Sequence, residues 1–137
     1  MKYIVILLSF WITALAAQEP FYYHIDKSKG LPSNTVYDIF QDSKGFIWFA
    51  SGNGLSRFDG QHFKHYISEK QTLKAGSNIA EDKYGRIWYV NFDGFMYYVE
   101  NDSLMAFEHT AMWTFLRFGV VGDKLYCVEP QAIVEYD

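Results

Sequence analysis

Apolar and polar positions along this chain come in short bursts, and the bursts repeat. Phe46-Ile47-Trp48-Phe49-Ala50 and Arg86-Ile87-Trp88-Tyr89-Val90 are matching runs about forty residues apart, each suited to a pleated surface. Around them Ile39, Asp42, Gly45, Ile47, Trp48 and Gly54 recur in register as Ile79, Asp82, Gly85, Ile87, Trp88 and Gly94, and Asn53 is answered by Asp93. A period near forty residues, with turn signals and an aromatic in each unit, is the mark of a propeller blade.

Each unit reads as hairpin chemistry. Asp42 to Gly45 and Asp82 to Gly85 open with Asp and close with Gly. Asp can bond the backbone two residues on, and Gly accepts the positive φ of a bulged turn. Asn53-Gly54 and Asp93-Gly94 are dipeptides favoured at the centre of two-residue hairpins, where both residues take φ > 0. The chain then returns through Leu55 to Phe58, or through Phe95 to Val99. In the first unit Asp59-Gly60 turns it once more, into His62 to Tyr66. A worn third unit follows, with Leu125 to Val128 under Ile47 to Ala50 and Ile133 to Asp137 under Leu55 to Asp59.

The expected fold is therefore all-β. It is a partial β-propeller of four-stranded antiparallel blades: blade 1 at about 34–66, blade 2 at about 76–108, and a degenerate third at about 112–137. Phe21 to Ile25 resembles the His62 to Tyr66 outer strand and is expected to start the domain. Closing a ring takes roughly four to eight blades, so two and a half to three leave it open. On this reading the chain is the N-terminal piece of a longer protein or a truncated gene product.

Composition changes the picture in three places. Residues 1–17 have Lys2, an uncharged stretch from Tyr3 to Leu15, and a small-x-small pattern at Ala14-Leu15-Ala16, the layout of a cleaved secretory signal peptide. The remainder, 18–137, holds no apolar stretch long enough to span a bilayer. Removing Lys2 from the twelve Lys and Arg leaves eleven against sixteen Asp and Glu, so the exported part is mildly acidic and has no pull toward nucleic acid. The single Cys127 sits in an apolar strand and is expected to be a buried thiol.

Candidate chemistry is sparse. His62 and His65 share one expected strand three residues apart, so their side chains leave opposite faces. His24 and His109 have no ligand partners at metal spacing, and no metal or other cofactor is expected. No Gly-x-Ser-x-Gly elbow or phosphate loop occurs, and no catalytic residue is assigned. Asp42, Asp82, Trp48 and Trp88 recur at fixed repeat positions. Every blade needs a turn and a packed face, whereas a site is needed once, so these residues are assigned to structure. A binding site should instead use positions that differ between repeats. The candidates are the Ser68 to Ala75 loop, the turns at Ser51-Gly52-Asn53 and Asn91-Phe92-Asp93, and above all Phe92, whose counterpart is Gly52. An aromatic there could stack on a sugar ring or pack on a neighbouring blade. Asn101-Asp102-Ser103 fits a glycosylation sequon and is set aside.

The stretch from Gly30-Leu31-Pro32-Ser33-Asn34 through Val36, Ile39, Asp42, Gly45, Ile47 and Trp48 to Asn53-Gly54-Leu55-Ser56-Arg57-Phe58-Asp59-Gly60 and Phe63 resembles the two-component regulator propeller repeat. The second unit departs after Gly94, and the third keeps little. The resemblance implies the exported sensor region of a Bacteroidetes-type membrane histidine kinase. There the propeller precedes an immunoglobulin-like domain, a transmembrane helix and cytoplasmic kinase parts. It implies a non-catalytic periplasmic module that senses a glycan fragment or another small extracellular ligand, with the remaining blades and the kinase as partners. The alternative is the start of an exported propeller enzyme or carbohydrate-binding protein acting on polysaccharide.

Overall fold

In a computed structural model, residues 20–108, 117–128 and 131–136 are described; the expected signal peptide and His109 lie outside them. The described chain forms three antiparallel sheets in simple meander order. The first holds β1 (Val36–Gln41), β2 (Ile47–Ser51), β3 (Gly54–Phe58) and β4 (Phe63–Tyr66). The second holds β5 (Gly76–Glu81), β6 (Ile87–Asn91), β7 (Met96–Glu100) and β8 (Ser103–Ala106). The third has β9 (Arg117–Val121), β10 (Lys124–Val128) and β11 (Ile133–Tyr136). These are three open sheets of a propeller.

The sheets stack face to face, which explains the apolar runs. Along β6 every residue is buried, because Ile87 and Tyr89 face the first sheet while Trp88 and Val90 face the third. A strand covered on both sides cannot show polar alternation. One core layer sets Trp48, Ala50, Leu55 and Tyr66 against Ile79, Ile87, Tyr89 and Tyr97. The next sets Trp88, Val90 and Met96 against Phe118, Leu125 and Cys127. Cys127 is buried, with its Sγ 3.5 Å from the Met96 Sδ.

The recurring Asp does more than open a turn. Asp42 Oδ1 accepts the N–H groups of Lys44 and Phe46 at 3.0 and 2.9 Å, and its Oδ2 accepts the Trp48 indole N–H at 2.8 Å. Asp82 repeats the set with Tyr84, Arg86 and Trp88 at 2.9, 3.0 and 2.8 Å. One carboxylate thus fixes the turn and orients the Trp that fills the space between blades. Burial works to raise the Asp82 carboxyl, but hydrogen bonds from Trp88 and Arg86 outweigh it and hold it below the usual carboxylate range.

One expectation needs correction. Asn53-Gly54 and Asp93-Gly94 are not the central pairs of primed turns: Gly54 and Gly94 have φ of 106° and 82°, while Asn53 and Asp93 are not in the left-handed region. Gly94 N–H donates to Asn91 O at 3.0 Å and Asn91 N–H to Phe95 O at 2.9 Å, a three-residue loop ending in a left-handed Gly. The pair with both φ values positive is Asn101 and Asp102, at 48° and 63°, in the sequon set aside above. There the short polar side chains tolerate the left-handed region. Phe21 to Ile25 has no described strand beside it to pair with, and Phe21 is 96% exposed.

Candidate functional site

Antiparallel meanders put successive turns at opposite ends. The lower end carries the β1–β2 and β3–β4 turns, with Asp42, Asp82 and Asp59. The upper end carries the β2–β3 and β6–β7 turns, the connection from Ile67 to Ala75, and the starts of β1, β5 and β9. Those three strands stand first in their sheets, and β5 packs against both β1 and β9. All the sequence-predicted binding candidates therefore share the upper end, though the structure does not leave them equally available.

The Ser68 to Ala75 connection is tied down. Thr72 Oγ1 donates to Asp93 Oδ2 at 2.7 Å, Asn91 Nδ2 donates to Leu73 O at 2.9 Å, and Phe92 N–H donates to Ala75 O at 2.9 Å. Blade 1 has the same device: Gly52 N–H donates to Thr35 O at 3.0 Å and Asn53 Nδ2 to Pro32 O at 2.8 Å. Here the lead-in segment closes over the turn. A Cβ on Gly52 would lie 3.1 Å from Ser33 Oγ, a tight approach that the serine would have to yield to. No such cover restricts Phe92. Its ring meets Tyr37 of blade 1 edge-on, with centroids 4.7 Å apart at 81°, and 45% of it stays exposed.

Both inner strands bulge at this level. In β1, Val36 pairs with Ser51 and Asp38 with Ala50, so Tyr37 is an extra residue. In β5, Ser77 pairs with Val90 and Ala80 with Trp88, and Asn78 takes φ 61°. A bulge bends the strand and re-aims a side chain. Tyr37 consequently stands 47% exposed at the rim. The result is a cleft of about 450 Å³ between the blades, lined by Tyr37, Asp38, Ser77, Asn78, Val90, Asn91, Phe92 and Arg117.

A repeated stitch crosses below it. The Ile79 N–H donates to Asp38 Oδ2 at 2.7 Å, and Asn78 Nδ2 donates to the Phe118 carbonyl at 2.9 Å. Asp38 and Asn78 occupy the same repeat position, so each blade grips the next through one side chain whose polarity has switched. The Asp38 carboxylate is further occupied by the Ile39 N–H at 2.9 Å. Sequence reasoning missed these two residues and the bulges. The signal available was a polar residue at the same place in both strands.

A second cleft of about 460 Å³ opens at the lower end, where Arg57, Lys44, Arg86 and Asp102 meet. Asp42, Arg57, Arg86 and Asp102 in it are engaged internally. Asp102 takes hydrogen bonds from Lys64 and from the Tyr66 hydroxyl, the latter at 2.7 Å, and pairs with Arg57 at 3.7 Å. The Lys64 and Tyr66 bonds hold the Asp102 carboxyl below its ordinary range, while burial, then the Asp102 bond, pushes the Tyr66 phenol up. Arg57 stacks 4.5 Å over Phe46. This cleft is a seam between blades. Among the described residues, no three His, Cys, Asp or Glu side chains gather as a metal site, and no helix is long and apolar enough to cross a membrane.

Comparisons with known proteins agree with this architecture. Residues 30–53 match the two component regulator propeller family. A curated relative, histidine kinase P4 of Formosa agariphila, is 41% identical over 66 residues, which is 45% of this chain and 5% of that protein. The extracellular domain of a hybrid two component system from B. thetaiotaomicron shares the fold with a TM-score of 0.64 at 22% identity, over 77% of this chain and 17% of that one. A catalytically inactive virginiamycin B lyase from Staphylococcus aureus, solved with quinupristin, reaches 0.62 at 20% identity, over 77% of this chain and 43% of the lyase. The chain thus spans a small part of these longer proteins, and the structural likenesses are of fold. The matched segment, running from Gly30 through the first Asp-x-x-Gly turn and its Trp, is similar to the two component regulator propeller repeat.

Proposed function

We infer that this chain is a non-catalytic, ligand-sensing propeller segment in the exported region of a two-component sensor histidine kinase. The observation that carries the reading is the upper cleft. It is lined by positions where the first two repeats differ: Tyr37 against Ser77, Asp38 against Asn78, Ala50 against Val90 and Gly52 against Phe92. Small-molecule sites take this form, concave and partly apolar with a few polar groups converging between elements. The similarity to histidine kinase P4 supports a signalling context. The leader at 1–17 supports export.

A saccharide is the expected ligand class, since two exposed aromatic rings beside hydroxyl and amide groups suit a hydroxylated ring. The test uses the full-length protein that carries this chain, reconstituted in membranes, with phosphotransfer followed across a panel of oligosaccharides. Replacing Tyr37 and Phe92 together by Ala is expected to abolish the response to whichever sugar activates the parent, while the protein stays folded with a stability loss of only about 0.5–1.5 kcal/mol. An activating sugar whose dose-response ignores both substitutions would remove the cleft from the sensing path. The lyase likeness carries the fold alone and favours no enzymatic reading.

A further inference from the structure

We propose that the upper cleft selects an anionic saccharide, a uronic-acid sugar whose carboxylate is taken by Arg117; this rests on the sensing reading above and adds the charge. Among the described residues lining the cleft, two carry formal charge, Asp38 and Arg117. They are not equivalent. Both oxygens of Asp38 already accept backbone N–H groups, from Ile39 and Ile79, so its charge is spent on holding the blades together. The Arg117 side chain has no ion pair or hydrogen bond among the described residues, and the residue is exposed at the first position of β9.

The surrounding groups fit the rest of such a ligand. Asn78 uses its Nδ2 on the Phe118 carbonyl, leaving its Oδ1 as an acceptor beside the Arg117 end of the cleft. The Ser77 hydroxyl has no partner among the described residues. Asn91, by contrast, is fully engaged: its Nδ2 donates to Leu73 O and its Oδ1 accepts the Phe95 N–H. A sugar ring lying against Tyr37 and Phe92 would meet a donor fork at one end and hydroxyl-matching groups along one side. Guanidinium binds carboxylate through two parallel N–H···O bonds, and a charged hydrogen bond in a partly enclosed cleft is worth at least about tenfold in affinity.

The experiment compares trigalacturonate and trimannuronate with their methyl esters, which keep the ring and remove the charge. Binding to the full-length protein is measured by calorimetry at low and high NaCl. At least one acid is expected to bind about tenfold tighter than its ester, with the preference shrinking as salt rises. Arg117→Gln should lower that acid to the affinity of its ester and leave the ester unmoved, while Arg117→Lys keeps part of the preference. Equal binding of acid and ester, or an Arg117→Gln effect of the same size on both, overturns the proposal and leaves saccharide sensing standing. If neither acid nor ester binds, the anionic proposal fails. If the neutral panel also gives no binding and no phosphotransfer response, saccharide sensing fails with it.

Discussion

The two ends of the same blades follow opposite rules. At the lower end Asp42 and Asp82 make the same hydrogen bonds to the same Trp at the same distance of 2.8 Å, forty residues apart. Even the links between blades repeat there: Ser43 donates to Glu81 at 2.7 Å, and its counterpart Lys83 reaches Asp123 at 3.2 Å. At the upper end the counterparts are Gly52 and Phe92, Val36 and Gly76, Tyr37 and Ser77. Repetition marks the scaffold, and divergence marks whatever is built on it.

The largest effect should come from breaking the scaffold. Trp88 is 3% exposed and packs between Tyr98 and Phe107, with ring centroids at 4.8 and 5.2 Å. Trp88→Ala would open a cavity and remove one donor from the Asp82 carboxylate, at about 3–5 kcal/mol in denaturant unfolding of the full-length protein. A loss below about 1 kcal/mol would mean that the inter-blade layer is not the core.

Next is a position that looks like divergence but is enforced by packing. A Cβ on Gly76 would sit 2.3 Å from the Val90 carbonyl and 2.8 Å from the Tyr89 ring. Backbone cannot give way there, so Gly76→Ala is expected to cost about 2–3 kcal/mol. Val36→Ala at the matching place in blade 1 should cost about 1 kcal/mol or less, because Val36 is only half-buried. Similar losses at both would show that the bulged strands are interchangeable and that the upper ends of the two blades do not differ.

The Asp82 carboxyl offers a pH test of the lower end. Its folded pKa lies below the ordinary 3.8, so the stability it contributes is present above that value and is lost as pH falls through the folded one. Asp82→Asn should cost about 1–2 kcal/mol at neutral pH, since the amide oxygen still accepts two turn N–H groups but the amide nitrogen, itself a donor, cannot accept from the Trp88 indole or from Arg86. On acidification below about pH 4 the gap between parent and variant should narrow. A gap independent of pH would assign the loss to geometry alone.

The scaffold was legible in the sequence because it is written twice. Trp48 with Trp88 and the apolar runs on β2 and β6 obey local rules that any blade must satisfy. The upper end was legible only as a region. Phe92 could be picked out against Gly52, but its meeting with Tyr37 depends on a bulge in β1, and no residue there announces one. The Asn-Gly and Asp-Gly dipeptides misled for a related reason: a left-handed Gly serves both a primed turn and the end of a three-residue loop, and the cross-strand bonds decide between them. Asn101-Asp102 was overlooked because neither residue is Gly.

Phe92 gives the smallest and sharpest test. Its ring contributes one edge-on contact with Tyr37 and is 45% exposed, so removing it forfeits a partial burial and one aromatic pair. Such pairs are worth about 0.5–1.5 kcal/mol, and Phe92→Ala should fall in that range. Were Phe92 only a bracket between blades 1 and 2, Tyr37→Ala would produce the same loss, the double variant would add little, and ligand response would stay put. Were it a wall of the site, the stability losses would look the same while the ligand dose-response moved by about tenfold. Measuring both quantities on the two single variants and the double separates the cases, because the coupling energy reports the bracket and the dose-response reports the wall. A stability loss with an unshifted dose-response would return Phe92 to the scaffold, and with it the upper end's strongest claim to be anything other than a third rule of packing.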